Sequence, residues 1–128
     1  MSKACILLAE DNTDMRLLLH YVLEGRGFEV TEAENGDAAL ELLAQTHPDL
    51  ILTDLMMPQV DGLELIRRVR AQDEFTDLPI VAMSAYGGDH LAKAYVNGAT
   101  ATIRKPLEVD TLIDTINQLL PDQAKIWH

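Results

Sequence analysis

The chain has 128 residues, 48% hydrophobic and 24% charged, which suits one domain with a real core and leaves little room for a second. Its formal net charge of −11, with ten Lys and Arg against 21 Asp and Glu, argues against direct nucleic-acid binding and points to proteins as partners. The opening MSKACILLAE is too short in apolar residues for a signal-peptide core, and no run approaches the roughly 20 residues of a membrane span, so a cytoplasmic protein without membrane contact is expected.

In chain order, ACILLA at 4–9 reads as a strand that ends on Glu10 and Asp11. Cys5, the only cysteine, lies inside it and is expected as a buried structural thiol. Asn12 or Thr13 can cap a helix whose stripe is Met15, Leu18, Leu19 and Val22, with Gly25 and Gly27 marking its end. A short strand follows near Glu29 to Ala33. Asn35 and Gly36 turn into a second helix with Ala39, Leu40 and Leu43 on one stripe, stopped by Pro48. Leu50 to Thr53 is the third strand, ending on Asp54. After the loop LMMPQVDG, Leu63, Ile66 and Val69 recur at helical spacing, with Asp61 and Gly62 making the turn that opens this third helix. IVAM at 80–83 follows Pro79 as the fourth strand and ends on Ser84. The fourth helix, from about Gly88, has only Leu91, Ala94 and Tyr95 for a stripe, and Asn97-Gly98 caps it. ATIR at 101–104 is the fifth strand, ending on Lys105. Val109, Leu112, Ile113, Ile116, Leu119 and Leu120 give the fifth helix the clearest periodicity, and Pro121 stops it.

Five strands alternating with five helices predict an α/β fold: a doubly wound parallel sheet with crossover helices, several strands being apolar throughout as strands covered on both faces should be. The carboxyl ends of parallel strands share an edge, where open α/β sheets place their ligand sites. Glu10, Asp11, Asp54, Ser84 and Lys105 would then converge. Three carboxylates, a hydroxyl and an ammonium can hold a divalent cation and a phosphoryl group, with one carboxylate as nucleophile.

AEDN at 9–12, LTDLMMPQVDG at 52–62, AMSAY at 82–86 and RKPL at 104–107 resemble, in order and at matching distances, the signature blocks of response-regulator receiver domains of two-component signalling. The resemblance covers essentially the whole chain. It implies the flavodoxin-like strand order 2-1-3-4-5, a receiver over residues 1–121 and a short C-terminal tail at 122–128. Asp54 would accept a phosphoryl group from a sensor histidine kinase or a histidine phosphotransfer protein. Glu10 and Asp11, with Asp54 and the backbone carbonyl of Met56, would hold Mg²⁺, or Mn²⁺ in its place. Ser84 and Lys105 would each contact a phosphoryl oxygen. Met56 and Tyr86 flank the path of an attacking water in the family's geometry, and neither is an acid or amide, so slow self-hydrolysis is expected. Thr102 stands where many members carry Tyr or Phe, which puts an aromatic switch there in doubt.

Singly, each residue has a plainer explanation: Glu10-Asp11 as helix-start acids, Asp54 as a loop acid, Ser84 as a cap, Lys105 as a surface cation. Four strand ends with complementary chemistry outweigh four accidents. His20, His47, His90 and His128 show no metal-ligand spacing and are expected on the surface. Gly87-Gly88 lacks the pattern of a phosphate loop, and Met56, Met57 and Pro58 read as loop packing, with Met56 also bordering the site. The expectation is a phosphoacceptor signalling module, without turnover beyond its own phosphorylation and dephosphorylation, that acts on a downstream protein target. The same residues suit a phosphorelay intermediate or the receiver of a longer regulator. The alternative from another class, a haloacid-dehalogenase-type phosphatase, would want a second Asp two residues past the nucleophile, where Met56 stands.

Overall fold

Strands β1 (Cys5–Ala9), β2 (Glu29–Ala33), β3 (Leu50–Asp54), β4 (Ile80–Ser84) and β5 (Ala101–Arg104) pair in parallel into one sheet of order 2-1-3-4-5, the order that the sequence implied. Helices α1 (Thr13–Gly25), α2 (Gly36–Thr46), α3 (Gly62–Arg70), α4 (Gly88–Asn97) and α5 (Val109–Leu119) make the crossovers. The structure is a computed structural model that describes residues 3–57 and 59–121; Pro58 and the tail at 122–128, His128 included, lie outside the described residues. Among the described residues no helix is long and apolar enough to cross a membrane.

Side chains alternate across a strand, so the sheet builds two cores. Leu7, Ile51, Ile80 and Ala82 point to the layer of α2, α3 and α4, where they meet Ala39, Leu43, Ile66, Val69 and Ala94. Ile6, Leu8, Leu52, Val81 and Met83 point the other way, onto Leu19 and Leu23 of α1 and Leu112, Ile113 and Ile116 of α5. β3 and β4 are buried along their whole length, whereas β2 at one edge is largely wet. Central strands covered on both sides hold their carboxyl ends rigidly in place.

The first three helix starts obey their capping signals and the last two do not. Asn12, Asn35 and Asp61 accept the amides of Met15, Ala38 and Glu64 at 2.8, 2.8 and 2.9 Å, while Gly87 and Glu108, which start α4 and α5, make no side-chain cap. Each helix carries an acid in its first turn: Asp14, Asp37, Glu64, Asp89 and Asp110.

Several expectations need correction. The buried face of α1 is Leu19 and Leu23; Leu18 is 56% exposed, and Met15 and Val22 are only partly covered, because this flank of α1 borders a groove beside α5 instead of the sheet. Cys5 is half-buried, since it opens β1 at its margin, with Sγ 3.9 Å from Thr31 Oγ1. In α3 the core side takes Leu65 beside Ile66 and Val69, and Leu63 only packs against its rim. In α4 only Ala94 is buried; Tyr95 is on the surface. Met57 packs as expected but Met56 is 47% exposed. A short 3-10 turn at Asp73–Phe75 adds an element the periodicity did not predict, and α2 ends on His47 at a left-handed φ of 46°.

Gly62 lies directly under the carboxyl end of β3. A Cβ there would fall on the Asp54 carbonyl oxygen and sit 2.6 Å from Leu55 Cα. Gly62→Ala should therefore cost about 1–3 kcal/mol in a urea unfolding experiment, because rigid backbone has to give. Gly25, with nothing within 4 Å of its Cβ position, is the control: Gly25→Ala should leave stability unchanged or raise it by up to about 1 kcal/mol.

Candidate functional site

Parallel pairing delivers the ends of β1, β3, β4 and β5 to one edge, and ligand oxygens of Glu10, Asp11 and Asp54 lie within 4.8 Å of one another there. Glu10 is fully buried, Asp54 is 6% exposed and Asp11 is open to solvent. The Lys105 ammonium donates to Glu10 Oε1 at 3.0 Å and to Asp54 Oδ2 at 3.1 Å, joining the first and third strands from the fifth. Its own backbone is fixed by a hydrogen bond that its N–H donates to the Ser84 carbonyl at 2.8 Å, and the Lys105–Pro106 peptide that follows is cis.

The surrounding backbone fixes each carboxylate. Glu10 donates its amide to the Ala33 carbonyl, accepts Arg16 Nη1 on its own carbonyl at 2.8 Å, and receives the Asn12 amide on Oε2 at 3.4 Å. Asp54 Oδ1 accepts the Met56 amide at 3.2 Å, and the Thr53 hydroxyl donates to the Asp54 carbonyl at 2.9 Å. Burial, and then the neighbouring Asp54 carboxyl, push Glu10 up from 4.5 to about 7, with Lys105 partly offsetting them. Burial would lower the Lys105 ammonium, but Glu10 and Asp54 outweigh it and hold it above its ordinary value. Hard carboxylate oxygens at this spacing suit a small divalent cation, and a nearly buried carboxylate with an adjacent ammonium suits attack on a phosphoryl group.

Ser84 is fully buried at the same edge, with its Oγ accepting the Tyr86 amide at 3.0 Å. The Tyr86 ring, 56% exposed, stacks on His90 of α4 at a centroid distance of 5.3 Å. Thr102 on β5 donates to the Tyr95 hydroxyl of α4 at 3.3 Å. Of the histidines, His20 sits between Glu24 and Glu32, at 3.3 and 3.6 Å, and His47 is exposed as expected. His90 is half-buried under Tyr86, which the sequence did not suggest. Arg16 and Tyr95 were also missed. A side chain reaching a backbone carbonyl six residues back, or a hydroxyl on another element, leaves no periodic trace.

The family model for the response regulator receiver domain matches residues 6–117. Sporulation initiation phosphotransferase F of Bacillus subtilis is 32% identical over 117 residues, which span 91% of this chain and 93% of that protein. The polar-differentiation response regulator DivK of Brucella anthropi is 34% identical over 119 residues, spanning 91% and 96%. Among solved structures, the chemotaxis protein CheY4 of Vibrio cholerae superposes with a TM-score of 0.88 at 28% identity, covering 93% of this chain and all of that one. The signal receiver domain of a signal transduction histidine kinase from Syntrophus aciditrophicus gives 0.86 at 29%, covering 91% and 89%.

The raised Glu10 makes the metal-free protein sensitive to pH. An acid that titrates near 7 folded and 4.5 unfolded binds more protons in the folded state between those values, so its contribution is complete below about 4.5 and is lost as pH rises through about 7. In chelator, the urea midpoint should fall between pH 5 and pH 8 by more in the wild type than in Glu10→Gln. Millimolar Mg²⁺ at pH 8 should restore the wild type and leave Glu10→Gln largely unchanged.

Proposed function

From the membership of this chain in the response regulator receiver domain family, we propose that Asp54 accepts a phosphoryl group from a phosphohistidine on a sensor kinase or histidine phosphotransfer protein. The observation that carries this reading is the meeting of three carboxylates within 4.8 Å with an ammonium bonded to two of them. An Asp54 carboxylate oxygen forms the new bond to phosphorus as the bond from phosphorus to the donor imidazole nitrogen breaks, leaving the electron pair on that nitrogen. The donor set fits Mg²⁺ or Mn²⁺: Glu10, Asp11, Asp54 and the Met56 carbonyl would hold the ion, whose charge lets a dianionic phosphoryl approach crowded carboxylates. Lys105 transfers one of its hydrogen bonds from Asp54 to a phosphoryl oxygen. Ser84 uses only a lone pair of its hydroxyl on the Tyr86 amide, so its proton is free to be donated to another phosphoryl oxygen in a charge-assisted bond.

That geometry also supports a route to the surface. Ser84 is tied to Tyr86, Tyr86 stacks on His90, and Thr102 is tied to Tyr95; His90 and Tyr95 both lie on α4, a helix with one buried residue and no side-chain cap. The readout is therefore assigned to residues 85–88 and the start of α4, where local stability is low, and a downstream protein senses it there. Similarity to the sporulation initiation phosphotransferase of Bacillus subtilis favours a second reading in which the group passes on to another histidine protein. A match over residues 6–117 leaves the dehalogenase-type alternative without support.

Asp54→Asn should abolish labelling by acetyl phosphate with Mg²⁺ while circular dichroism stays unchanged, and chelator should do the same to the wild type; label persisting on Asp54→Asn would move the acceptor. In the same assay the label on wild type should decay slowly, and a double replacement of Met56→Asn and Tyr86→Glu should hasten its loss.

Amide exchange with and without beryllofluoride, a phosphoryl mimic, tests the route. Altered exchange across residues 85–95 is expected; change confined to β5 would refute it.

A further inference from the structure

Of the three carboxylates at the acidic edge, Asp11 is the one that no partner holds by its side chain. Glu10 and Asp54 share the Lys105 ammonium at 3.0 and 3.1 Å, whereas Asp11 is exposed and, among the described residues, its carboxylate has no hydrogen bond or ion pair. Its place within 4.8 Å of the other two is therefore set by the backbone from which it hangs, the peptide that joins Glu10 to Asp11. The carbonyl of that peptide accepts Arg16 Nη1 at 2.8 Å. Side chains of a helix lean toward its amino end, so a long side chain near the start of α1 is aimed at the loop that precedes it. Glu32 of β2 keeps the guanidinium there, with Oε1 3.8 Å from Nε, and the Arg16 side chain is only 17% exposed.

Resting on the reading of Glu10, Asp11 and Asp54 as Mg²⁺ ligands, we propose that Arg16 is a positioning residue for the cation site: by holding the Glu10 carbonyl it fixes the Glu10–Asp11 peptide plane and so presents the Asp11 carboxylate to the ion. The neighbouring structure is secured without the guanidinium. The Glu10 amide is bonded to the Ala33 carbonyl at 3.0 Å, the Arg16 amide to the Asn12 carbonyl at 2.9 Å, and Asn12 Oδ1 caps the helix on the Met15 amide at 2.8 Å. What the guanidinium adds is one charge-assisted bond on one peptide plane. Its charge is also compensated, because Glu32 faces it with one oxygen while His20 Nδ1 lies 3.6 Å from the other. The sign of the effect separates positioning from charge. As a bare cation beside the carboxylates Arg16 would oppose a second cation, and its removal would tighten binding. As a positioning group its loss weakens binding, by the roughly 10- to 100-fold that removal of a partner behind a metal ligand costs.

A Mg²⁺ titration followed on the Asp11 and Asn12 amide resonances, with no phosphoryl donor present, reads the affinity apart from any phosphorylation. Arg16→Met should raise the Kd at least about tenfold, and Arg16→Lys, which keeps a cationic donor for the Glu10 carbonyl, should bind more tightly than Arg16→Met. Arg26→Met removes the same charge just past the far end of α1, where Arg26 pairs with exposed Asp110 at 3.4 Å, and should keep a Kd near the wild-type value. An unchanged or lower Kd in Arg16→Met would overturn the proposal, and so would Arg16→Lys binding no more tightly than Arg16→Met. Wild-type resonances that ignore Mg²⁺ are a separate outcome, which would overturn the cation site itself and the positioning role with it. Should Arg16→Met fail to fold, the wild type decides: the Arg16 guanidinium protons should be resolved and slow to exchange both in chelator and in Mg²⁺, and their averaging with solvent in Mg²⁺ would overturn the proposal.

Discussion

Two buried carboxylates on neighbouring strands repel, and one ammonium reconciles them. Lys105 bonded to Glu10 and Asp54 is the interaction on which the acidic edge depends, because neither acid is solvated well enough to stand alone. An ion triad of this kind contributes little net stability: desolvation takes back much of what the Coulomb attraction gives. The two apolar layers on either face of the sheet carry the fold. The edge spends part of that stability to keep Asp54 close to the Lys105 ammonium yet reachable.

The molecule is stiff at the ends of its central strands and less firmly held at α4. β3 and β4 are buried along their length, and Gly62 lets the start of α3 press against the Asp54 carbonyl, so Asp54 has almost no freedom to drift. On the other flank, α4 buries only Ala94 and starts on an uncapped Gly87; Arg70 of α3 holds its far end at the Gly98 carbonyl, while its first turn is tied by a ring stack. A small displacement of the Ser84 hydroxyl costs little there. Rigidity and pliancy are separated by one residue, from Ser84 to Ala85.

Much of this was legible because burial on both faces writes itself into a strand as an unbroken apolar run with a polar stop, as in LILT before Asp54 or IVAM before Ser84. The order of the strands was not contained in periodicity; it came from the resemblance of four motif blocks. Where periodicity misled, a specific ambiguity was responsible. A helical stripe cannot distinguish a side chain pressed on the sheet from one lining a groove, so Leu18 read as core although the sheet meets Leu19 and Leu23. Cys5 read as buried from an apolar run in which it alone is only half-covered. Arg16 on the Glu10 carbonyl, His90 under Tyr86 and Tyr95 beside Thr102 depend on tertiary placement and had no local signal at all.

The acid in the first turn of every helix has a kinetic consequence. Five helix starts face the same edge as the carboxylates, and their partial positive charges would draw anions to it, but Asp14, Asp37, Glu64, Asp89 and Asp110 already satisfy those charges. The backbone is thereby prevented from acting as a lure. A small anion meets a repulsive field on a chain of −11, whereas a protein that presents a basic surface is drawn in from a distance. Ionic strength then acts in opposite directions on the two encounters: screening eases the first and weakens the second over a Debye length of about 8 Å at physiological salt. Discrimination between small anions and basic protein surfaces is thus written into the long-range field before any contact forms.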